Sequence, residues 1–167
     1  MPTNPGVPQR LLRFPSEENK EWELVEGLYA RLGLSSIEAL PDEVSRVDPS
    51  TAICRANDKL KQTFQEGEKF APVYRQANSE LLCVPTGLIF IILNEGFELE
   101  VCIGQISNAE FSVEKKSPTG GAWLGHQSGS IGSALNCFPK LFEIKEIQSV
   151  EPQFLLQRAL RGACDPN

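Results

Sequence analysis

The sequence predicts an α+β domain, a small antiparallel β-sheet (a meander) with N-terminal helices and a C-terminal helix packed on one face. Three observations predict it. Apolar residues recur at helical spacing in the first 66 residues, alternate at strand spacing between residues 80 and 105, and return to helical spacing near the C-terminus. Helices and strands are therefore segregated along the chain, as in α+β folds.

Residues 1–15 contain Pro2, Pro5, Pro8 and Pro15 and read as an extended, partly disordered arm. A single domain is expected over residues 16–163, with a flexible tail over 164–167. Ser16 can cap a first helix, Glu17 and Glu18 favour its positive end, and Gly33 can end it. Trp22, Val25, Leu28, Tyr29 and Leu32 would share a core-facing stripe about 120° wide. One helical turn is expected over residues 36–40, before Pro41. Asp48-Pro49 signals a second helix reaching Glu66. Its apolar seam of Ile53, Ala56, Leu60 and Phe64 covers only about 80°, which suggests a helix lying on the surface.

Strand signals begin at Phe70. Residues 80–84 lead into a Pro85-Thr86-Gly87 turn. Residues 88–93 (LIFIIL) are apolar on both faces, as in a central strand. Asn94-Glu95-Gly96 suits a hairpin loop, after which Phe97, Leu99, Val101 and Ile103 alternate with Glu98, Glu100 and Cys102. Residues 108–116 read as a further strand through Phe111 and Val113. A Gly/Ser-rich connector follows over residues 117–133. Ile131, Leu135 and Phe138 suit a short helix stopped by Pro139, and residues 141–147 lean to strand through Phe142 and Ile144. A last helix is expected from residues 149–152 to Gly162, burying Leu155, Leu156, Ala159 and Leu160.

At 167 residues and 41% hydrophobic, the chain is long enough to bury roughly 70% of its unfolded surface around one core. Acidic residues outnumber basic ones 22 to 16, and the densest basic pair is Lys115–Lys116. That balance argues against nucleic acid and anionic membranes as partners, since both need a basic surface. The longest apolar run is six residues, against about 20 for a membrane-spanning helix. Five cysteines stand at 54, 83, 102, 137 and 164 with no C-x-x-C pair, and the one histidine is His126. Neither a metal site nor a cofactor is expected from that spacing. An odd number of scattered thiols reads as reduced cysteines of a cytoplasmic protein.

The stretch 117–133 is the one place where composition hints at function, because glycine lets backbone amides approach an anion. Gly120 and Gly125 have phosphate-loop spacing, yet His126-Gln127 stands where Lys-Ser/Thr is required. Ser128 and Ser130 fail the G-x-S-x-G pattern. Trp123 either enters the core, the favoured reading, or anchors a partner. His126 could serve a thiol such as Cys137 as general base, although a lone loop histidine is more often solvated. Glu98 and Glu100 would share one strand face, where a solvated role outweighs acid–base chemistry. The candidate ligand- or partner-binding residues are therefore Trp123, His126, Ser128, Ser130, Lys115 and Lys116. Absent a catalytic motif, the sequence favours a non-enzymatic protein-interaction module, an adaptor or assembly component. It would act through the second helix, a sheet edge or loop 117–133. The alternative is a small-molecule or anion binder, or an enzyme, using the same loop.

Overall fold

The computed structural model describes residues 6–16, 20–35, 40, 42–56 and 70–156. Within them nine strands and two α-helices follow in order. The strands are β1 (Arg10–Leu12), β2 (Glu21–Arg31), β3 (Glu43–Asp48), β4 (Thr51–Arg55), β5 (Phe70–Gln76), β6 (Leu82–Leu93), β7 (Phe111–Lys116), β8 (Gly121–His126) and β9 (Ile147–Leu156). Helix α1 (Leu99–Asn108) lies between β6 and β7. Helix α2 (Ile131–Cys137) follows β8 and continues into a 3-10 turn, Phe138–Glu143.

All pairings are antiparallel and run β3-β4-β2-β5-β6-β8-β7, with β1 also on β2 and β9 also on β6. Strand β6 belongs to two halves of the sheet. Its start pairs β5, its end pairs β8, and β9 runs along its other side. The register of β6 and β9 shifts between Pro85 and Ile89, at Gly87, whose φ of 90° suits glycine. The arm completes the architecture. Just beyond β1, Phe14 exchanges backbone hydrogen bonds of 2.9 and 2.8 Å with Val150 of β9. Hydrogen-bonded neighbours thus run β1-β2-β5-β6-β9 and back to the arm, closing a ring.

Helices α1 and α2 and the 3-10 turn cover one face of this sheet. Leu99, Cys102 and Ile106 of α1 and Ala134 and Leu135 of α2 pack with Ile89, Ile91, Leu124, Phe138 and Leu141. A second cluster, Ala30, Val47, Ile53, Ala71, Val73 and Val84, is built from strand residues, with Ile131 of α2 packed against it. Each such side chain taken fully from water contributes about 1.5–3 kcal/mol before entropy is subtracted.

The α+β expectation with terminal helices is corrected by this large sheet. The first expected helix is strand β2. A bulge between Leu24 and Tyr29, with Gly27 at φ 84°, resets the two-residue alternation. Trp22 and Tyr29 are consequently both buried, in separate clusters, at a spacing that imitates a helix. The Asp48-Pro49 signal makes a β3–β4 turn instead, in which Asp48 Oδ1 accepts from the Ser50 amide at 2.8 Å. Residues 57–66 of the second expected helix, and 36–39 of the short turn, lie outside the described residues.

The reverse error occurs at residues 97–103, expected as a strand. Helix α1 buries Leu99, Cys102 and Ile106 at helical spacing and leaves alternate apolar residues outside. The segment after Pro139 is a 3-10 turn as far as Glu143 rather than strand. The final expected helix is strand β9 as far as Leu156, with the rest outside the described residues. The short helix expected at Ile131 is α2. No helix among the described residues is long and apolar enough to cross a membrane.

Candidate functional site

The connector expected over residues 117–133 contains strand β8, and this divides the candidate residues. Lys116 pairs with Ala122 at one end of the β7–β8 hairpin, and Phe111 pairs with His126 at the other. Four residues of strand, about 14 Å, separate the two ends. Lys115, Lys116 and Trp123 belong to the first end; His126, Ser128 and Ser130 belong to the second. They do not converge on one anion.

At the first end Trp123 is half-buried, its ring 4.8 Å from that of Phe90, and Lys115 Nζ lies 5.5 Å from its centre. Lys116 Nζ donates to Glu100 Oε2 at 2.8 Å. This contact lowers the pKa of the Glu100 carboxyl and raises that of the lysine. Glu98 and Glu100 sit at the cap and first turn of α1, not on a strand face.

The second end is a corner where four elements meet. Ser128 supplies both a backbone N–H, 3.1 Å from His126 Nδ1, and a hydroxyl at 2.7 Å. Ser128 Oγ also accepts from the Ser130 amide, and Ser130 caps α2 by accepting from the Ser133 amide at 3.2 Å. Glu110, the residue linking α1 to β7, has a φ of 73° and closes the helix through its amide on the Ser107 carbonyl. Its Oε2 accepts from Lys140 Nζ at 2.6 Å, while its Oε1 stands 3.9 Å from His126 Nε2. The Lys140 ammonium, helped slightly by His126, holds the Glu110 carboxyl below its usual range. Cys137, at the end of α2, completes the corner. One ligand atom each from Glu110, His126 and Cys137 lie within 4.8 Å of one another.

A general base needs one ring nitrogen for the nucleophile and the other for an orienting group. Ser128 occupies Nδ1 of His126, and Glu110 faces Nε2. Cys83 is deeply buried and its thiol is pushed up to about 12; burial also raises Cys54 and Cys102. Burial therefore disfavours the thiolate, the reactive form, at all three.

Two features escaped sequence reasoning. Glu110 and Cys137 stand 16 and 11 residues from His126 in sequence, too far for any ligand motif. The exposed apolar side chains at α1 were hidden by its strand-like alternation. Phe97, Val101 and Ile103 are 47%, 60% and 44% exposed, beside Glu95, Glu98 and Glu100. Both ends of the sheet path carry charge instead: Glu114, Lys115 and Lys116 on β7, and Glu43, Arg46 and Asp48 on β3. Comparison with protein-family models, curated proteins and solved structures finds no match for this chain.

Proposed function

We propose that this chain is a non-enzymatic protein-interaction module that docks a partner at the start of α1, around Phe97 and Val101. The observation that carries the reading is the exposure of Phe97 and Val101 at the start of one short helix, with Ile103 about 160° round the axis from Val101. Other large exposed apolar residues, among them Leu12, Val44, Leu81 and Leu156, are spread over separate elements, as on any protein surface. The flanking glutamates favour a partner whose apolar side chains are bordered by lysine or arginine. Sheet-edge docking is less favourable because charged side chains on β3 and β7 resist added strands.

The test is native size. The tagged chain, released gently from its own cells, is expected to elute in a larger species than the purified chain. Phe97→Ser with Val101→Asp is expected to return it to the free size, a loss of about 2 kcal/mol or more at a docking centre. A wild-type chain eluting at the free size overturns the reading, as does a double variant that remains in the larger species.

A further inference from the structure

We infer that Glu110, His126 and Cys137 form a binding site for one divalent transition-metal ion of the zinc class. The inference is independent of α1 docking. It begins with an unmet need in the protein. The His126 side chain is only 8% exposed, and its Nε2 is buried with no hydrogen-bond partner. The Ser128 amide points at Nδ1, so in the neutral ring the proton sits on Nε2. Glu110 Oε1 faces that nitrogen from 3.9 Å, beyond hydrogen-bond reach. A buried polar atom left unpaired is costly, and native structures retain few of them. An ion between the two groups would satisfy both.

The donor chemistry selects the ion. One carboxylate oxygen, one imidazole nitrogen and one thiolate sulfur suit zinc or cobalt(II), whereas magnesium and calcium prefer oxygen alone. Tetrahedral zinc holds such atoms about 3.5 Å apart, so atoms now within 4.8 Å of one another need to close by about an ångström. Three protein ligands leave a fourth position for solvent, and Glu110, at the exposed rim, gives access to it.

Protons and charge balance as follows. Cys137 releases its thiol proton to solvent. The ring proton leaves Nε2, and Nδ1 gains one, donating it to Ser128 Oγ at 2.7 Å while the Ser128 amide turns away. Thiolate and carboxylate together match the two positive charges of the ion. Lys140 keeps its place on the other Glu110 oxygen. Ser128 thereby becomes the residue that orients the ligand histidine, a role such outer partners commonly fill.

Cobalt(II) alone, titrated into the purified full chain, tests the site. Expected is a thiolate-to-cobalt charge-transfer absorption that saturates at one equivalent, disappears on adding zinc, and survives excess magnesium. Cys137→Ser should abolish the band, and Ser128→Ala should weaken binding by about 10–100-fold. Glu110→Gly removes a ligand and the exposed Lys140 ion pair but relieves a positive φ, so it should leave the melting temperature of the metal-free chain near the wild-type value while weakening cobalt binding. No band in the wild-type chain overturns the inference. So does a band that persists in Cys137→Ser, which would place cobalt on another thiol, or unchanged affinity in Glu110→Gly.

Discussion

Gly121 shows how one missing side chain can set a strand position. It pairs with Ile92 across β6 and β8, and a Cβ built there would overlap the Ile91 carbonyl oxygen. That neighbour is backbone in the middle of the sheet, so it cannot swing aside. Gly121→Ala is expected to destabilise the fold by about 1–3 kcal/mol. A denaturant midpoint equal to the wild-type value would refute this. Gly125, opposite the Glu114 side chain, has a flexible neighbour and should tolerate the same change better. The Gly-rich composition of residues 117–133 was legible in the sequence, but its reason was not. These two glycines serve close packing inside a strand rather than loop mobility.

At the scale of elements, strand β3 ends the sheet path and is held by its own ion pair. Arg46 meets Glu43 through two bonds, 3.1 Å to Oε2 and 2.6 Å to Oε1, and the Leu40 amide adds a third to Oε1 at 3.0 Å. The Arg46 bonds are the main cause of a lowered Glu43 pKa, partly offset by burial. A lowered carboxyl stabilises the folded state fully above the unfolded value of about 4.3 and loses that effect as pH falls through the folded value. The expected contribution at neutral pH is about 1 kcal/mol, given partial exposure. Glu43→Gln should therefore be less stable than wild type at neutral pH, with the gap closing in strong acid. A gap that is constant down to about pH 2 would show that the pair does not titrate as argued. Element identity was misread at two places in particular. β2 looked helical because a bulge shifted its phase, and α1 looked like a strand because Phe97, Val101 and Ile103 face outward.

For the whole molecule, the N-terminal arm matters more than its proline content suggested. Leu11 is 1% exposed, Tyr74 donates its hydroxyl to the Pro8 carbonyl at 2.7 Å, and Phe14 stacks on Phe142 at 5.0 Å. Asn136 of α2 also donates to the Gly6 carbonyl at 2.6 Å. The arm thus joins β2, β5, β9 and α2. Leu11→Ala is expected to cost about 2–5 kcal/mol in unfolding free energy. Because the Val150 amide donates to Phe14, its hydrogen exchange should quicken more than that of Ile91 in the middle of β6. Equal acceleration at both amides would mean that the arm adds general stability without closing the ring.

By itself the sequence determined an acidic chain with enough apolar residues for one core, a central strand at residues 88–93 and a short helix after Ser130. Those features are local: a composition, an apolar run, a proline beyond the helix. Only the tertiary structure decided that residues 21–31 and 147–156 are strands, that the arm completes the ring, and that Glu110, His126 and Cys137 share a corner. A strand's hydrogen-bond partners lie on other strands, and bulges erase the periodicity that would announce it. Nor does spacing along the chain reveal which distant side chains a turn, a strand end and a helix end bring within reach of one ion.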